Sequence, residues 1–377
     1  MRLSSTPRRV LFLTVMPSPY QRELFYALHL DGRLEIRVLY CASGAFDRNW
    51  SIPPLHAYEK ILSGTTVSVL GPSARLNPTI VKALSRESAD LVVVSDYSAL
   101  TVQIAMRYLN LRRTPWVFWG EAPGLRSRGR LGDFLRRQLQ YPIANGAAAI
   151  AAIGSNAAEV YQRLFPSIWV LSIPYFCDLT KFRIAAKERW TRSKETVDVL
   201  FSGQLIERKG VDVLIQAFTQ VSHRIPELRL QLLGTGPAFL SLAKLVPLEL
   251  QNRVQFLGFQ QPDALPKIFA TADTFVLPSR HDGWGVVVNE ALGAGLPIIV
   301  SDRVGARDLV KHGCNGLITR AGDIDSLASA LLRLGQSREL RRAYSLSSEL
   351  QAANWGLDEG VKRWNGLYDH VMATLRG

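Results

Sequence analysis

Two carboxylates eight positions apart, Asp282 and Glu290, are the residues of this chain best suited to bind a small polar ligand. Asp282 is predicted to lie in a loop after the apolar run 274–277, and Glu290 in the opening turns of a helix over 286–294. Glycines before that helix leave backbone N–H groups and the positive helix end open to a phosphate. Acids beside a phosphate can hold hydroxyl groups, so this segment favours a sugar nucleotide as ligand.

Lys209 is the second candidate, in a glycine-containing loop after the predicted strand 197–202. It stands directly before a predicted helix that begins at Val211, where a point charge and backbone N–H groups suit a diphosphate. A solvated lysine in an ordinary loop is the alternative interpretation. The glycines of the segment 233–237 permit a ligand to approach the backbone, but Gly-x-Gly alone is a weak signal.

Short apolar runs alternate with helical patterns along the chain, which is typical of βαβ units and parallel sheets. Strands are predicted at 10–16, 34–40, 66–70, 91–95, 116–119, 148–153 and 169–173, and again at 197–202, 228–233, 254–257, 274–277, 298–300 and 316–319. The charged segment 183–195 lacks apolar periodicity and is interpreted as a linker. We therefore expect an α/β protein with two Rossmann-like domains, 1–185 and 186–355, whose parallel sheets face each other across a deep cleft. Apolar residues at helical spacing predict a last helix that packs back toward the first domain, in the segment 356–377.

Taken together, the segments of the second half resemble the donor half of retaining glycosyltransferases of the GT-B fold, family 4 (glycosyltransferase group 1). The matching pieces are the loop from Gly203 to Lys209-Gly210, Gly234-Thr-Gly236, Phe256-Leu-Gly258, Pro278-Ser279, Asp282-x7-Glu290, Gly295-Leu-Pro297, Gly305 and Asn315-Gly316. They cover essentially all of residues 197–320, and their combination is what is specific. The resemblance implies that domain 1–185 binds an acceptor and domain 186–355 a nucleotide-sugar donor.

The resemblance also implies roles for single residues. Lys209 should bind the donor diphosphate and Glu290 the ribose diol. Asp282 and the backbone of Gly283, Trp284, Gly285 and Val286 should hold the transferred sugar and its β-phosphate. Further donor contacts are expected from Gly203, Gln204, Arg208, Gly234, Gly258 and Phe259. Catalysis would be electrostatic, with Lys209 and Asp282 as its central residues.

The same resemblance implies that neither a cofactor nor a metal ion is needed, since the nucleotide sugar is itself a substrate. No Asp-x-Asp metal clamp accompanies the donor loops. Two positions depart from the family pattern: Asp282 stands where the family usually has glutamate, and Gln204 where it usually has a second diphosphate-binding arginine. Arg208 or Arg280 could take over that second role.

The first domain offers fewer clues. Glu121 follows a predicted strand and is the candidate hydrogen-bond partner or base on the acceptor side, although it could instead cap or salt-bridge a loop. The segment 17–21 replaces the glycine-rich loop of many relatives, and none of the six histidines matches the one that many relatives carry on this side. Tyr175-Phe176 replaces the usual Asn-Gly before the linker.

The net charge of +13 and the pI near 9.9 favour polyanionic partners. A predicted helix carries Arg126, Arg128, Arg130, Arg136 and Arg137, and its apolar side comprises Leu131, Phe134, Leu135 and Leu139. A basic amphipathic helix can lie on an anionic membrane surface; a solvated helix face is the alternative. No aromatic-lined groove or known motif points to nucleic acid.

Other features restrict the compartment. The three cysteines (Cys41, Cys177 and Cys314) are scattered, which argues against a disulfide scaffold or a zinc site and fits a reducing compartment. The run 10–16 is short and ends at Pro17, so it is predicted to be a strand and not a signal peptide. No stretch reaches the roughly 18 apolar residues that span a bilayer. We expect a cytoplasmic protein, with peripheral binding to the inner face of the cell membrane as an option.

These observations predict a retaining glycosyltransferase that transfers a sugar from a nucleotide-sugar donor to a glycan or lipid-linked acceptor, in bacterial cell-surface polysaccharide biosynthesis. One alternative is a non-catalytic protein that binds nucleotide sugars or glycans, for which Gln204 is the best argument. Another is a sugar-nucleotide epimerase or hydrolase of the same architecture, which would need acids placed for proton abstraction or for water.

Overall fold

The structure is a computed structural model that describes residues 8–44, 51, 53–66, 75–123, 129–187, 189–191 and 195–376. The chain divides into two compact units. The first comprises the chain up to Tyr175 together with the chain from Asp358 onward, and the second is Phe176–Leu357. Each unit is a parallel sheet with helices packed around it, which confirms the predicted α/β class. No helix among the described residues is long and apolar enough to cross a membrane.

The first unit is built on a parallel sheet. Its strands are β1 (Arg9–Thr14), β2 (Glu35–Tyr40), β3 (Glu59–Ile61), β6 (Leu91–Ser95), β7 (Trp116–Gly120), β8 (Ala149–Ala152) and β9 (Val170–Ser172), and a separate antiparallel pair comprises β4 (Thr65–Thr66) and β5 (Arg75–Leu76). Within the described residues, the order of the large sheet is β3-β2-β1-β6-β7-β8-β9. The central strands are apolar throughout because helices cover both faces of such a sheet.

Helices cover the sheet of the first unit. They are α1 (Pro19–Asp31), α2 (Ile80–Arg86), α3 (Leu100–Arg112), α4 (Gly129–Ala144) and α5 (Ser155–Leu164). Side chains from α2, α3 and α5 and from the strands, among them Met106, Val94 and Tyr161, share one buried core. This core fixes the strand ends, and the loops that follow the strands inherit those positions.

Within the described residues, the sheet of the second unit has six strands in the order β12-β11-β10-β13-β14-β15. This order corresponds to that of the first sheet without its last strand, β9. The strands are β10 (Val197–Ser202), β11 (Leu228–Leu233), β12 (Val254–Gly258), β13 (Thr274–Leu277), β14 (Ile298–Ser301) and β15 (Gly316–Thr319). The helices are α6 (Thr180–Ala186), α7 (Val211–Ser222), α8 (Phe239–Leu245), α9 (Leu265–Thr271), α10 (Val287–Gly293), α11 (Ile324–Gln336) and α12 (Arg338–Ala352). All strand pairs of this sheet are parallel.

In each sheet the strand order reverses at one place, between β1 and β6 in the first unit and between β10 and β13 in the second. Connections on the two sides of such a point leave in opposite directions and open a crevice at the carboxyl ends of the strands. This is where ligands bind in open parallel sheets. The loops after β10 and β13 are those that carry Lys209 and Asp282.

The last helix, α13 (Leu357–Thr374), lies almost entirely in the first unit. Trp364 on this helix is buried, and its ring meets the rings of Phe12 and Trp119 edge-on, each at 5.1 Å between centroids. Large aromatic side chains packed in this geometry stabilise a core beyond their buried area.

The described part of the segment 183–195, which is predicted to be a linker, is attached to the second unit. Helix α6 extends to Ala186, and Phe182 packs against Phe269 with 5.4 Å between ring centroids. Arg189 is buried and donates to the carbonyls of Ala294 and Phe269 at 2.6 and 2.9 Å. The divisions between the two compact units lie at 175/176 and 357/358. The domain limits predicted from the sequence are 185/186 and 355/356.

Candidate functional site

Two loops at the switch point of the second unit bring the predicted donor residues together. We call residues 203–210, which follow β10, the lysine loop, and residues 278–286, which follow β13, the acid loop. The amino group of Lys209 donates a hydrogen bond to the carboxylate of Asp282. The two side chains are only 11% and 10% exposed, so their charges attract each other through a medium of lower polarity than water.

Close backbone packing fixes the two loops against each other. The backbone N–H of Arg280 donates to the carbonyl of Arg208 at 2.8 Å. Gly210 has φ of +68°, and a Cβ there would lie 2.3 Å from the carbonyl oxygen of Pro278. Only glycine therefore permits the approach that places Lys209 beside Asp282.

Three predicted donor glycines lie side by side at the same edge of the sheet. The N–H of Gly203 donates to the carbonyl of Leu233, and the N–H of Gly234 donates to the carbonyl of Gly258, each at 2.9 Å. A Cβ on Gly234 would lie 1.9 Å from the carbonyl oxygen of Gly203. Phe259, which follows them, is exposed. The edge thus offers backbone and one aromatic ring to a ligand.

The side chain of Trp284 points away from this edge. It is buried, and its indole N–H donates to Asn289 at 2.9 Å. Only its backbone can meet a donor, as the resemblance implied for residues 283–286. Packing around this backbone is tight, because a Cβ on Gly305 would lie 2.1 Å from the carbonyl oxygen of Gly283.

The acid loop is also held by the segment 303–305, which follows β14. The N–H of Asp282 donates to the carbonyl of Arg303, and the N–H of Gly305 donates to the carbonyl of Asp282, each at 3.0 Å. Gly285, with φ of +93°, turns the chain into α10. There the N–H of Glu290 donates to the carbonyl of Val286 at 3.3 Å, which places Glu290 in the first turn, half-buried.

The arginines near Gln204 differ in what they contact. Arg280 is held in a two-pronged ion pair by Asp212, so it is not placed to replace the arginine that the family has at Gln204. Arg208 lies 3.6 Å from Asp282, and its side chain is 42% exposed. Gln204 itself is half-buried. Of the two arginines proposed from the sequence, Arg208 is the one that lies beside the Lys209–Asp282 pair.

The first unit contains a cavity of about 750 Å³ at the carboxyl ends of β1, β6, β7 and β8. Glu121 is an exposed residue of its lining, and the Tyr161 hydroxyl donates to the Glu121 carbonyl at 2.7 Å. Tyr20 and Tyr175 form an aromatic wall with 4.8 Å between ring centroids. Burial raises the pKa of Tyr175 well above its ordinary value, so its hydroxyl keeps its proton.

Asp96 lines the same cavity and is not among the site residues predicted from the sequence. Its carboxylate accepts hydrogen bonds from the backbone N–H groups of Tyr97 and Ser98 at 2.5 and 2.8 Å. Its φ of 64° is a left-handed conformation that aspartate tolerates better than most residues. The available signal was its position directly after the strand 91–95, at the switch point of the first sheet.

Helix α4 carries the described part of the basic cluster. Arg126 and Arg128 lie outside the described residues, whereas Arg130 and Arg137 are exposed on the helix. The helix also exposes three large apolar or aromatic side chains, which are those of Phe134 (56%), Leu135 (53%) and Tyr141 (62%). Its described surface therefore combines positive charge with apolar area.

Comparison with known proteins relates most of the second unit to a family of transferases. Residues 182–349 match the family model for "Glycosyl transferases group 1". Over this segment the chain is similar to the group 1 glycosyl transferases. The matched segment contains both the lysine loop and the acid loop. Among the residues that the structure describes, no three His, Cys, Asp or Glu side chains are grouped as a metal site.

Two curated transferases are similar over part of the chain. The alpha-D-kanosaminyltransferase of Streptomyces kanamyceticus is 28% identical over 64% of this chain and 65% of its own length. A GDP-mannose-dependent alpha-(1-6)-phosphatidylinositol monomannoside mannosyltransferase of Mycobacterium tuberculosis is 28% identical over 62% of this chain and 63% of its own. The chain thus spans less than two thirds of the length of these relatives.

A solved structure extends the likeness to the whole chain. HepE of Anabaena, in complex with UDP and glucose, matches with a TM-score of 0.73 at 19% identity, over 96% of this chain and 99% of that one. At this identity the likeness shows the fold. Together with the two parallel-sheet units, it confirms the GT-B fold that the sequence predicted.

Proposed function

We propose that this protein transfers a sugar from a nucleotide-sugar donor to a glycan or lipid-linked acceptor and retains the configuration at the anomeric carbon. The observation that carries the proposal is the meeting of Lys209 and Asp282 at the switch point between β10 and β13. The names of the two curated relatives, and the UDP and glucose bound to HepE, support this class of donor.

Donor binding rearranges the charges of the site. The diphosphate of a nucleotide sugar carries the charge that Lys209 attracts, so its phosphate oxygens replace Asp282 as the partner of the ammonium group. Asp282 then becomes available to accept hydrogen bonds from hydroxyls of the transferred sugar. Arg208 supplies the second positive charge at the diphosphate, and Glu290 accepts from the ribose diol.

The reaction breaks the bond between the anomeric carbon and the phosphate oxygen. Negative charge develops on the leaving diphosphate, where Lys209, Arg208 and the N–H groups of the loops stabilise it. The acceptor hydroxyl attacks from the side that the diphosphate leaves, and a phosphate oxygen takes its proton. Retention follows without a covalent enzyme intermediate. We expect transfer to need no metal ion, so EDTA should leave the rate unchanged.

The cavity of the first unit is the proposed acceptor site. Glu121 and Asp96 offer carboxylate oxygens to acceptor hydroxyls, and the rings of Tyr20 and Tyr175 offer a surface on which a sugar ring can lie. Because the leaving phosphate takes the proton, Glu121 orients the acceptor hydroxyl by hydrogen bonding. The surface of α4 supports a lipid-linked acceptor and a location on the inner face of the cell membrane, in cell-surface polysaccharide biosynthesis.

A ligand screen with one variant tests the donor site. A panel of nucleotide sugars that includes UDP-glucose and GDP-mannose is scanned by thermal shift, since a bound ligand raises stability by RT ln(1 + [L]/Kd). We expect at least one donor to stabilise the wild-type protein and to be transferred. Glu290→Ala should abolish both effects, whereas the exposed Glu249→Ala should preserve them. Unchanged transfer in Glu290→Ala would refute the site.

A further inference from the structure

We propose that Asp212 and Arg280 are positioning residues, which hold the lysine loop and the acid loop at the spacing that the donor diphosphate requires. This inference rests on the proposed function of those loops. None of the hydrogen bonds described above joins Asp212 or Arg280 to Lys209 or Asp282. We infer that Asp212 and Arg280 act on Lys209 and Asp282 through the backbone.

The contact between the two residues is a forked ion pair. Nη1 of Arg280 donates to Oδ1 of Asp212 at 2.7 Å, and Nη2 donates to Oδ2 at 2.6 Å. Nη1 also donates to the backbone carbonyl of Glu207 at 2.8 Å. A guanidinium group that makes parallel bonds to one carboxylate is fixed in orientation as well as in distance.

The position of the pair in the chain links it to the donor residues. Arg280 stands two residues before Asp282 in the acid loop, and Asp212 stands three residues after Lys209 in the first turn of α7. The Glu207 carbonyl that Arg280 also binds belongs to the lysine loop. The Arg280 guanidinium thus ties the acid loop both to the lysine loop and to the first turn of the helix that follows the lysine loop.

Energetic considerations favour positioning over a role in stability. The side chains of Arg280 and Asp212 are 36% and 31% exposed, so water and salt screen their attraction, and we expect the pair to add little to the stability of the fold even with its bidentate geometry. Binding and catalysis are far more sensitive to geometry, since a displacement of about 1 Å can cost on the order of 100-fold in rate. The hydrogen bond to Arg280 lowers the pKa of Asp212, so the pair is charged at neutral pH.

Simple electrostatics and positioning predict opposite effects for Asp212. Asp212→Asn removes a negative charge beside the diphosphate site and leaves Arg280 positive. If charge alone mattered, a nucleoside diphosphate would bind this variant as tightly as the wild type, or more tightly. If the pair positions the loops, the same variant binds the nucleotide more weakly. Arg280→Gln lowers affinity under both accounts and serves as a reference.

The test is calorimetric titration of UDP and of GDP into the wild type, Asp212→Asn, Arg280→Gln, the double variant and Arg280→Lys. We expect each single variant to weaken binding about tenfold, the double variant to be no worse than Arg280→Gln, and Arg280→Lys to recover part of the affinity. Arg33→Gln is the matched control. Arg33 forms a similar forked pair with Asp31 in the first unit, distant in sequence from the lysine loop and the acid loop. The melting temperatures of all variants should stay within a few degrees of the wild type.

The outcomes separate this inference from the proposed function. Wild-type affinity in Asp212→Asn, with UDP or GDP bound by the wild type, would overturn the positioning role and leave the proposed function intact. A large loss of melting temperature in Asp212→Asn without a loss of nucleotide affinity would also overturn it. Failure of the wild type to bind UDP, GDP or the nucleotide of any other donor in the screened panel would contradict the proposed function and, with it, this inference.

Discussion

Lys209 is the residue on which the donor site depends most directly. Lys209→Met should lower kcat/KM for the donor by about 10²–10³-fold, because it removes a donor aimed at the charge that develops on the leaving group. Arg208→Gln should cost about tenfold or less, since Arg208 is 42% exposed and its charge is screened by water and salt. Steady-state kinetics with the donor found in the ligand screen would measure both. Equal losses in the two variants would contradict the different roles that we assign.

At the scale of single residues, the sequence predicted the members of the site but not their partners. Lys209 and Asp282 were predicted as loop residues at the carboxyl ends of parallel strands, where ligands bind. Glu290 was predicted from its place in the opening turns of the helix that follows the acid loop. The pairing of Arg280 with Asp212 depends on two side-chain directions in separate loops, which no local pattern contains. The burial of Trp284 was likewise hidden, because a glycine on each side of a tryptophan does not determine which way the ring points.

At the scale of the elements, strand β3 shows what local patterns miss. It has three residues, and its Glu59 is buried, so no apolar run predicted it. Glu59 is tolerated inside because Arg22 donates to both of its oxygens, at 2.9 and 2.8 Å, and Tyr40 donates at 2.6 Å. The strands β6, β10, β11, β13 and β15 were predicted to the residue, since each contains apolar residues between loop signals.

The buried ion pair between Glu59 and Arg22 predicts a change in stability. Glu59→Gln should destabilise the first unit by about 3 kcal/mol or more, because it leaves the buried charge of Arg22 without its counter-ion. The melting temperature in calorimetry should fall by roughly 6 °C or more. Glu35→Gln, on the neighbouring strand, removes an exposed partner of Arg9 and should change stability by less than about 1 kcal/mol. A similar small effect in Glu59→Gln would show that the buried pair does not hold β3.

The pair also gives the first unit a dependence on pH. Burial tends to raise the pKa of Glu59, but hydrogen bonds from Arg22 and Tyr40 outweigh it and hold the pKa below its ordinary value of 4.5. The contribution of the pair is therefore complete above about pH 4.5 and is lost as the pH falls through the lower folded pKa. The difference in melting temperature between the wild type and Glu59→Gln should therefore become smaller as the pH falls below about 4.5.

At the scale of the whole molecule, the excess of positive charge predicts binding to anionic membranes through α4. Wild-type protein should co-sediment with vesicles that contain phosphatidylserine and not with vesicles of phosphatidylcholine alone. Arg130→Glu/Arg137→Glu should weaken that binding at least about tenfold, since each cation near the headgroups contributes about 1 kcal/mol. Arg224→Glu/Arg342→Glu, which reverses two exposed arginines of the second unit, is the matched control. Equal sedimentation with both kinds of vesicle would contradict the proposed membrane surface.

The fold class of each unit follows from the alternation of strands and helices along the chain, which is typical of βαβ units and parallel sheets. The division between the two compact units did not follow from the charge pattern. Arg189 lies in the charged segment 183–195, and its contacts in the folded second unit show that this part of the segment belongs there. The likeness to group 1 glycosyl transferases extends over the unit that was the easier of the two to interpret from its sequence.

The most direct test of the central claim is the configuration of the sugar that the protein releases. Wild-type protein is incubated with UDP-glucose and with GDP-mannose, whose sugars are α-linked, and the anomeric protons of the first-formed product are followed by NMR. Retention at the Lys209–Asp282 site predicts that the α-anomer appears first, and that Lys209→Met forms it at least about 100-fold more slowly. Initial formation of the β-anomer, or an unchanged rate in Lys209→Met, would contradict the account.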